Sequence, residues 1–205
     1  MARREIALIY LHGDTEEEFF RKVFDKYLKG IRRHIKNVKG DNRKVLSATA
    51  YFISEHSDVY VRVYCFLDRE SRYGTPPLSE SSLKNIFRSD SRFEKRVLSC
   101  NVIIATQMIE SWFFYDIEGI YRYLSVPRRE RHINKYRPPD KCSCNTLSKL
   151  FTRYGKAYIK GKKCANFIDH LDIDKIYRNC PELRDGIALI LNHSGLSDRK
   201  QKKKN

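Results

Sequence analysis

The stretch Ile6-Ala-Leu-Ile-Tyr-Leu11, followed at once by His12-Gly-Asp-Thr-Glu-Glu-Glu18, decides the fold. A largely apolar run bounded by a glycine turn reads as a strand buried on both faces, the pattern of a parallel sheet. Past the turn, Phe19, Phe20, Val23, Phe24, Tyr27 and Leu28 keep helical spacing. Asp14-Thr15 supplies an N-cap, so residues 16–29 read as a helix.

The same unit recurs outward from this stretch. Residues 31–38 alternate moderately and stop at Lys39-Gly-Asp-Asn42, a second strand and a turn, and residues 44–54 place Leu46, Ala50, Tyr51 and Ile53 on a helix. Residues 59–67 are apolar at most positions and therefore form a central strand. A short helix over 83–87, a polar break and a strand over 102–106 follow. The order βαβαβαβ predicts an α/β fold, a Rossmann-like parallel sheet flanked by helices. Residues 69–81, with Gly74-Thr-Pro-Pro77, make a loop long enough to move over a site. Residues 109–124 read as one amphipathic helix carrying the single tryptophan, Trp112. The expected organisation is an α/β core over 1–124, a basic connector and two or three helices over 125–195, and a disordered basic tail over 196–205.

Acidic residues fall in small groups where these strands end: Asp14 and Glu16 after the first, Asp68 and Glu70 after the third, Glu110 after the fourth. An open α/β sheet builds its site at the carboxyl ends of its strands. If strands one and three are neighbours, Glu16 faces the Asp68-x-Glu70 pair, and hard oxygen ligands of this kind suit Mg²⁺ or Mn²⁺. Each acid also has an ordinary reading, since glutamates favour any helix N-terminus and an aspartate commonly caps a turn.

The chain has 41 Lys and Arg against 25 Asp and Glu, a net charge of +16. Such a field attracts polyanions, whether DNA, RNA or an acidic protein, although a basic soluble surface produces it too. No apolar run reaches the roughly 20 residues of a membrane span, and the N-terminus lacks a signal-peptide pattern, so a cytoplasmic protein with no membrane partner is expected. Of six cysteines only Cys142 and Cys144 are closely spaced, with Cys164 the third ligand to suspect if zinc is held; no second close pair supports that reading. No Gly-rich phosphate loop with a following Lys-Ser or Lys-Thr is present, which argues against nucleotide hydrolysis by the chain itself.

Leu11-His-Gly-Asp-Thr-Glu16, Phe66-Leu-Asp-Arg-Glu70 and Ile109-Glu-Ser-Trp-Phe-Phe-Tyr-Asp116 resemble the successive motifs of TOPRIM-like proteins, in particular the RloB-like and OLD-related nucleases of anti-phage defence. Tyr154-Gly-Lys-Ala-Tyr-Ile-Lys160 and Cys180-Pro181 are similar to the same branch. The resemblance implies a TOPRIM fold, metal-dependent cleavage of DNA or RNA, and in some relatives an ATPase partner. It carries family acids onto Glu16, Asp68, Glu70 and Glu110 as metal ligands, and Lys160 onto the family's Tyr-x-Lys.

One departure stands out, because His12 occupies the place where TOPRIM domains usually have glutamate. A neutral imidazole can ligate Mn²⁺, Fe²⁺ or Zn²⁺; a protonated one can contact phosphate or act as general acid; or the change marks a relative that binds without cutting. The expected catalytic set is His12, Glu16, Asp68, Glu70 and Lys160. Arg69, Arg72, Arg128, Arg129, Lys156, Lys162 and Lys163 are expected to hold phosphates, with Tyr154 and Tyr158 available to stack on bases. The alternative is a non-catalytic binding or sensor subunit of an ATPase-containing complex, and a homodimer is compatible with either reading.

Overall fold

A computed structural model of the chain describes residues 4–69, 78–93 and 95–194. Glu70, Arg72, most of the expected 69–81 loop and the 196–205 tail lie outside the described residues.

Four parallel strands form one sheet in the order β2-β1-β3-β4: β1 (Arg4–Leu11), β2 (Arg33–Asn37), β3 (Val59–Asp68) and β4 (Val97–Ala105). The sheet is the expected α/β arrangement, with β1 and β3 adjacent and Leu11 in register with Phe66. Helix α1 (Asp14–Tyr27) follows β1, α2 (Lys44–Glu55) follows β2, and α3 (Glu80–Ser89) precedes β4.

Successive strand residues point to opposite faces, and each face is covered. Leu8 and Tyr10 of β1 join Val61, Val63 and Cys65 of β3 under α2 and α3. Ala7, Ile9 and Leu11 join Tyr64 and Phe66 on the other face, packed against α1 and the C-terminal helices. Phe20 lies 4.4 Å from Phe66 between ring centroids and edge-on to Trp112, an aromatic cluster binding α1 to the sheet and to the segment after β4. Edge strand β2 is only five residues long and carries Arg33 and Lys36, features that limit pairing with another chain.

Several elements differ from the expectation. Helix α1 begins at Asp14 with Gly13 as N-cap, because the two side chains expected to cap it are used elsewhere. Asp14 Oδ1 accepts from the Asn37 amide at 2.6 Å, and Thr15 Oγ1 accepts the Gly161 N–H at 2.9 Å. Strand β4 starts at Val97 rather than at 102, its polar first half paired to β3 across a register shift at Val61 and Arg62. The single helix expected over 109–124 is instead α4 (Ile109–Phe113), a 3-10 turn (Phe114–Asp116) and α5 (Ile117–Tyr123). The connector is not a bare linker, since Val126, Tyr136 and Cys142 are buried in the main core and three 3-10 turns shape it. Four helices follow: α6 (Cys144–Arg153), α7 (Ala165–Asp169), α8 (Ile173–Asn179) and α9 (Pro181–His193). Among the described residues no helix is long and apolar enough to cross a membrane.

The break at Asp116 has a cause. Its fully buried carboxylate takes the Asp172 N–H at 2.9 Å and ion-pairs with Lys175 at 3.2 Å and Arg122 at 3.5 Å, tying α5 to α8. Gly119 makes room for it, because a Cβ there would stand 1.9 Å from Asp116 Oδ2. Gly119→Ala is therefore expected to lower stability by about 2 kcal/mol or more, through overpacking of a buried charge network. Chemical denaturation read by tryptophan fluorescence measures it; an unchanged midpoint would show that the network can move aside.

Candidate metal centre

The carboxyl ends of β1 and β3 and the first turns of α1 and α4 enclose a crevice of about 360 Å³. His12, Glu16, Asp68, Glu110 and Lys160 line it. Glu16 reaches the crevice because α1 starts immediately after a two-residue turn, and Gly13 lets it fold back: a Cβ at Gly13 would meet Glu16 Oε2 at 3.0 Å. Asp68 is the last residue of β3, and its Oδ1 accepts the Ile109 N–H at 3.0 Å, satisfying one of the orphan donors of α4. That bond sets the start of α4 and so places Glu110 one residue later.

Ligand atoms of His12, Glu16 and Asp68 lie within 4.8 Å of one another, and this group can hold a metal ion. Among the described residues no other group of three or more His, Cys, Asp or Glu side chains is so disposed. Cys142, Cys144 and Cys164 form no zinc site: Cys142 and Cys164 are buried, and the Cys142 thiol is directed to the Tyr136 carbonyl.

The electrostatics fit a cation. Glu16 is 6% exposed, Asp68 5% and Glu110 0%, three acids gathered in a small volume. Burial first, and then the Glu110 charge, raise the Glu16 carboxyl from 4.5 to about 7, while a hydrogen bond with Asp68 acts the other way. The raised pKa favours a protonated Glu16, and a divalent ion would replace that proton. Glu110 Oε1 accepts the Tyr158 hydroxyl at 3.1 Å and pairs with Lys160 Nζ at 3.3 Å. Its Oε2, though buried, has no hydrogen-bond partner among the described residues, a costly arrangement unless a further donor or cation is bound. Burial disfavours the Lys160 ammonium, but Glu110 and its acidic neighbours outweigh this and hold its pKa above the ordinary value.

Lys160 arrives from a distant segment. Gly161, at φ +74°, donates its N–H to Thr15 in the first turn of α1, and the preceding lysine is thereby carried to the crevice. The other expected phosphate contacts are more dispersed. Arg69 follows Asp68 directly and continues the strand ladder through its N–H to Ala105. Lys162 and Lys163 are exposed on the 3-10 turn after Lys160. Arg128 and Arg129 are exposed on the turn at residues 128–130 and do not line the crevice. Lys156 is engaged with α5, donating to the Tyr123 carbonyl at 2.6 Å and lying 4.2 Å over its ring. Tyr158 has its hydroxyl committed to Glu110 and its ring against Phe151 rather than presented as a stacking surface.

The structural class is thus an α/β protein with a carboxylate-and-histidine crevice at the carboxyl edge of a four-stranded parallel sheet. Residues 12–187 match the family described as a domain of unknown function, DUF4276, and the chain belongs to that family. No curated protein and no solved structure matches it.

The raised Glu16 carboxyl gives a signed prediction. The folded protein holds a proton on Glu16 between pH 4.5 and about 7 that the unfolded chain releases, so the metal-free fold loses stability as pH rises through that window. Ligation needs the deprotonated form, so added Mn²⁺ is expected to stabilise more at pH 8 than at pH 5.5. At about 100 times its Kd the gain is on the order of 3 kcal/mol, or roughly 5–10 °C for a chain of this size. Differential scanning fluorimetry of wild type and Glu16→Gln tests this, and an equal metal response in the two proteins would exclude Glu16 as a ligand.

Proposed function

We propose that the protein is a metal-dependent nuclease that hydrolyses phosphodiester bonds of DNA or RNA with Mg²⁺ or Mn²⁺. The observation that carries the reading is the convergence of His12, Glu16 and Asp68 within 4.8 Å, beside the Glu110–Lys160 pair. The net charge of +16, which favours a polyanionic substrate, and the motif resemblance to TOPRIM-like nucleases support it. His12, Glu16 and Asp68 would hold the divalent ion, which when bound would supply Lewis-acid chemistry to the phosphate and to an attacking water.

The chain's residues take distinct parts. His12, Glu16 and Asp68 supply one nitrogen and several oxygens, a donor set that admits Mn²⁺ as readily as Mg²⁺. Asp68 uses Oδ1 for the Ile109 N–H, leaving Oδ2 for the site. Tyr158 is half-buried and its hydroxyl is held protonated, by desolvation first and then by the Glu110 charge, so it donates to Glu110 across the working pH range. Held by Tyr158 and Lys160, Glu110 presents Oε2 as an acceptor for a proton from an attacking water. Lys160, half-exposed at the mouth, offsets negative charge developing on the phosphate. Arg69, adjacent to Asp68, steadies the neighbouring phosphate. By the same resemblance, the cellular setting is defence against phage or mobile elements, with an ATPase as partner.

The test is cleavage of labelled single-stranded DNA, duplex DNA and tRNA with Mg²⁺, Mn²⁺ or EDTA. Asp68→Asn keeps an oxygen for the Ile109 N–H while removing the charge, and is expected to cut at least about 10³-fold more slowly; Lys160→Ala should lose about 10²-fold. Salt-sensitive binding without cutting on any substrate would replace this reading with that of a binding subunit, with His12 marking the loss.

A further inference from the structure

A second cleft, larger than the carboxylate crevice, lies elsewhere on the molecule. It measures about 690 Å³ and lies where the turn after α4, the connector and α8 meet. Ligand sites for small molecules commonly fall in the range of about 300–1,000 Å³. Its walls include Tyr115, Ile133, Pro138 and Pro139, and its polar groups are Glu118, Lys175, Asn179 and Arg137.

The charges in this cleft are unevenly distributed. Lys175 is balanced inside it by Glu118 at 2.7 Å and by the buried Asp116 at 3.2 Å. Arg137, exposed at the rim, has no ion pair among the described residues. It also lines an adjoining basic groove with Arg131 and Lys135, and Ile133 is common to both. Tyr115 is half-buried and, unlike neighbouring Phe114, stacks on no other ring among the described residues. Asn179 donates from Nδ2 to the Lys175 carbonyl at 2.7 Å, which leaves its Oδ1 as an acceptor in a cleft that Glu118 also lines. An interior whose lysine is already paired, with an aromatic residue and acceptors in its walls and opening onto an uncompensated arginine, suits a ligand with a planar amino-bearing body and an anionic end.

The cleft adjoins the crevice along the chain. Phe114, in its wall, opens the 3-10 turn that follows α4, four residues after Glu110. The Gln107 amide, two residues beyond β4, donates to the Asp140 carbonyl at 2.7 Å and fixes the Pro138–Pro139 wall against the sheet's carboxyl edge.

We infer that this cleft is a nucleotide subsite, taking an unstacked base against Tyr115 with its phosphate on Arg137. The basic groove beyond carries the continuing backbone on Lys135 and Arg131. As a part of substrate recognition it rests on the nuclease reading, and it restricts the substrate to single-stranded or locally opened nucleic acid, since a base inside a duplex cannot reach the wall.

The test is binding in EDTA, which needs no cleavage and so stands apart from the nuclease reading. Fluorescence anisotropy with a labelled deoxyadenylate decamer, and calorimetry with dAMP and with ribose 5-phosphate, are run on wild type, Tyr115→Ala, Tyr115→Phe and Arg137→Ala. Tyr115→Ala and Arg137→Ala are each expected to weaken the decamer at least 5-fold, with Tyr115→Phe close to wild type, because the ring and not the hydroxyl stacks. Parallel losses for dAMP would show that free nucleotides enter as well; losses confined to the decamer would identify a strand as the only source. Both outcomes support the subsite. Equal weakening of ribose 5-phosphate and dAMP by Arg137→Ala, with no effect of Tyr115→Ala, would reduce the cleft to an anion patch and overturn the inference, as would unchanged binding in every variant. Circular dichroism of each variant guards against unfolding; if Tyr115→Ala does not fold, Ile133→Asp, on the opposite side of the same argument, replaces it and is expected to weaken the decamer likewise.

Discussion

The site depends on one hydrogen bond, from the Ile109 N–H to Asp68 Oδ1. Asp68 ends the central strand and Ile109 begins α4, so a single carboxylate joins the sheet to the helix that carries Glu110, Trp112 and Phe113. Met108 contributes no side-chain cap to that helix, and a five-residue helix is too short to hold its own geometry. Its position is imposed by the strand end on one side and by aromatic packing on α1 on the other. Asp68 therefore anchors α4 through one oxygen while belonging to the group that can hold a metal ion.

The second constraint is the burial of like charge. Glu16, Asp68 and Glu110 are nearly inaccessible, and uncompensated carboxylates in such a setting cost several kcal/mol each. Lys160 and Tyr158 compensate Glu110 in part, and Glu16 answers its burial with a carboxyl pKa raised to about 7. Buried, mutually repelling acids of this kind concentrate at functional sites, and His12, Glu16 and Asp68 can hold a metal ion. A chain of +16 makes the arrangement tolerable at long range, since the surrounding field is positive.

Much of this was legible before any coordinates. Long apolar runs gave β1 and β3 as buried strands, and the acids after them fell where a parallel sheet places its site. What escaped had physical reasons. The first half of β4, Val97 to Asn101, mixes polar and apolar residues and becomes a strand only by pairing with β3. The helical periodicity of 109–124 gave no hint that Asp116 turns inward, because the partners that hold it, Arg122, Asp172 and Lys175, come partly from another helix. The proximity of Lys160 to Glu110 follows from a clasp between Gly161 and Thr15 that no local pattern announces. Glu70 and Arg72 lie outside the described residues, so their part in the site rests on the sequence alone.

That clasp has one more consequence. The segment from Gly155 to Gly161 begins and ends on glycines of positive φ. Lys156 anchors it to α5 through the Tyr123 carbonyl, and Gly161 anchors it to α1. Between the anchors Ala157 and Ile159 face solvent, while Tyr158 and Lys160 turn in to Glu110. The segment behaves as a bow strung between two fixed points, with alternate residues assigned to water and to the site. Its outward residues are free to change in kind, but not in number, because one residue more or fewer would reverse which side chains face the acid.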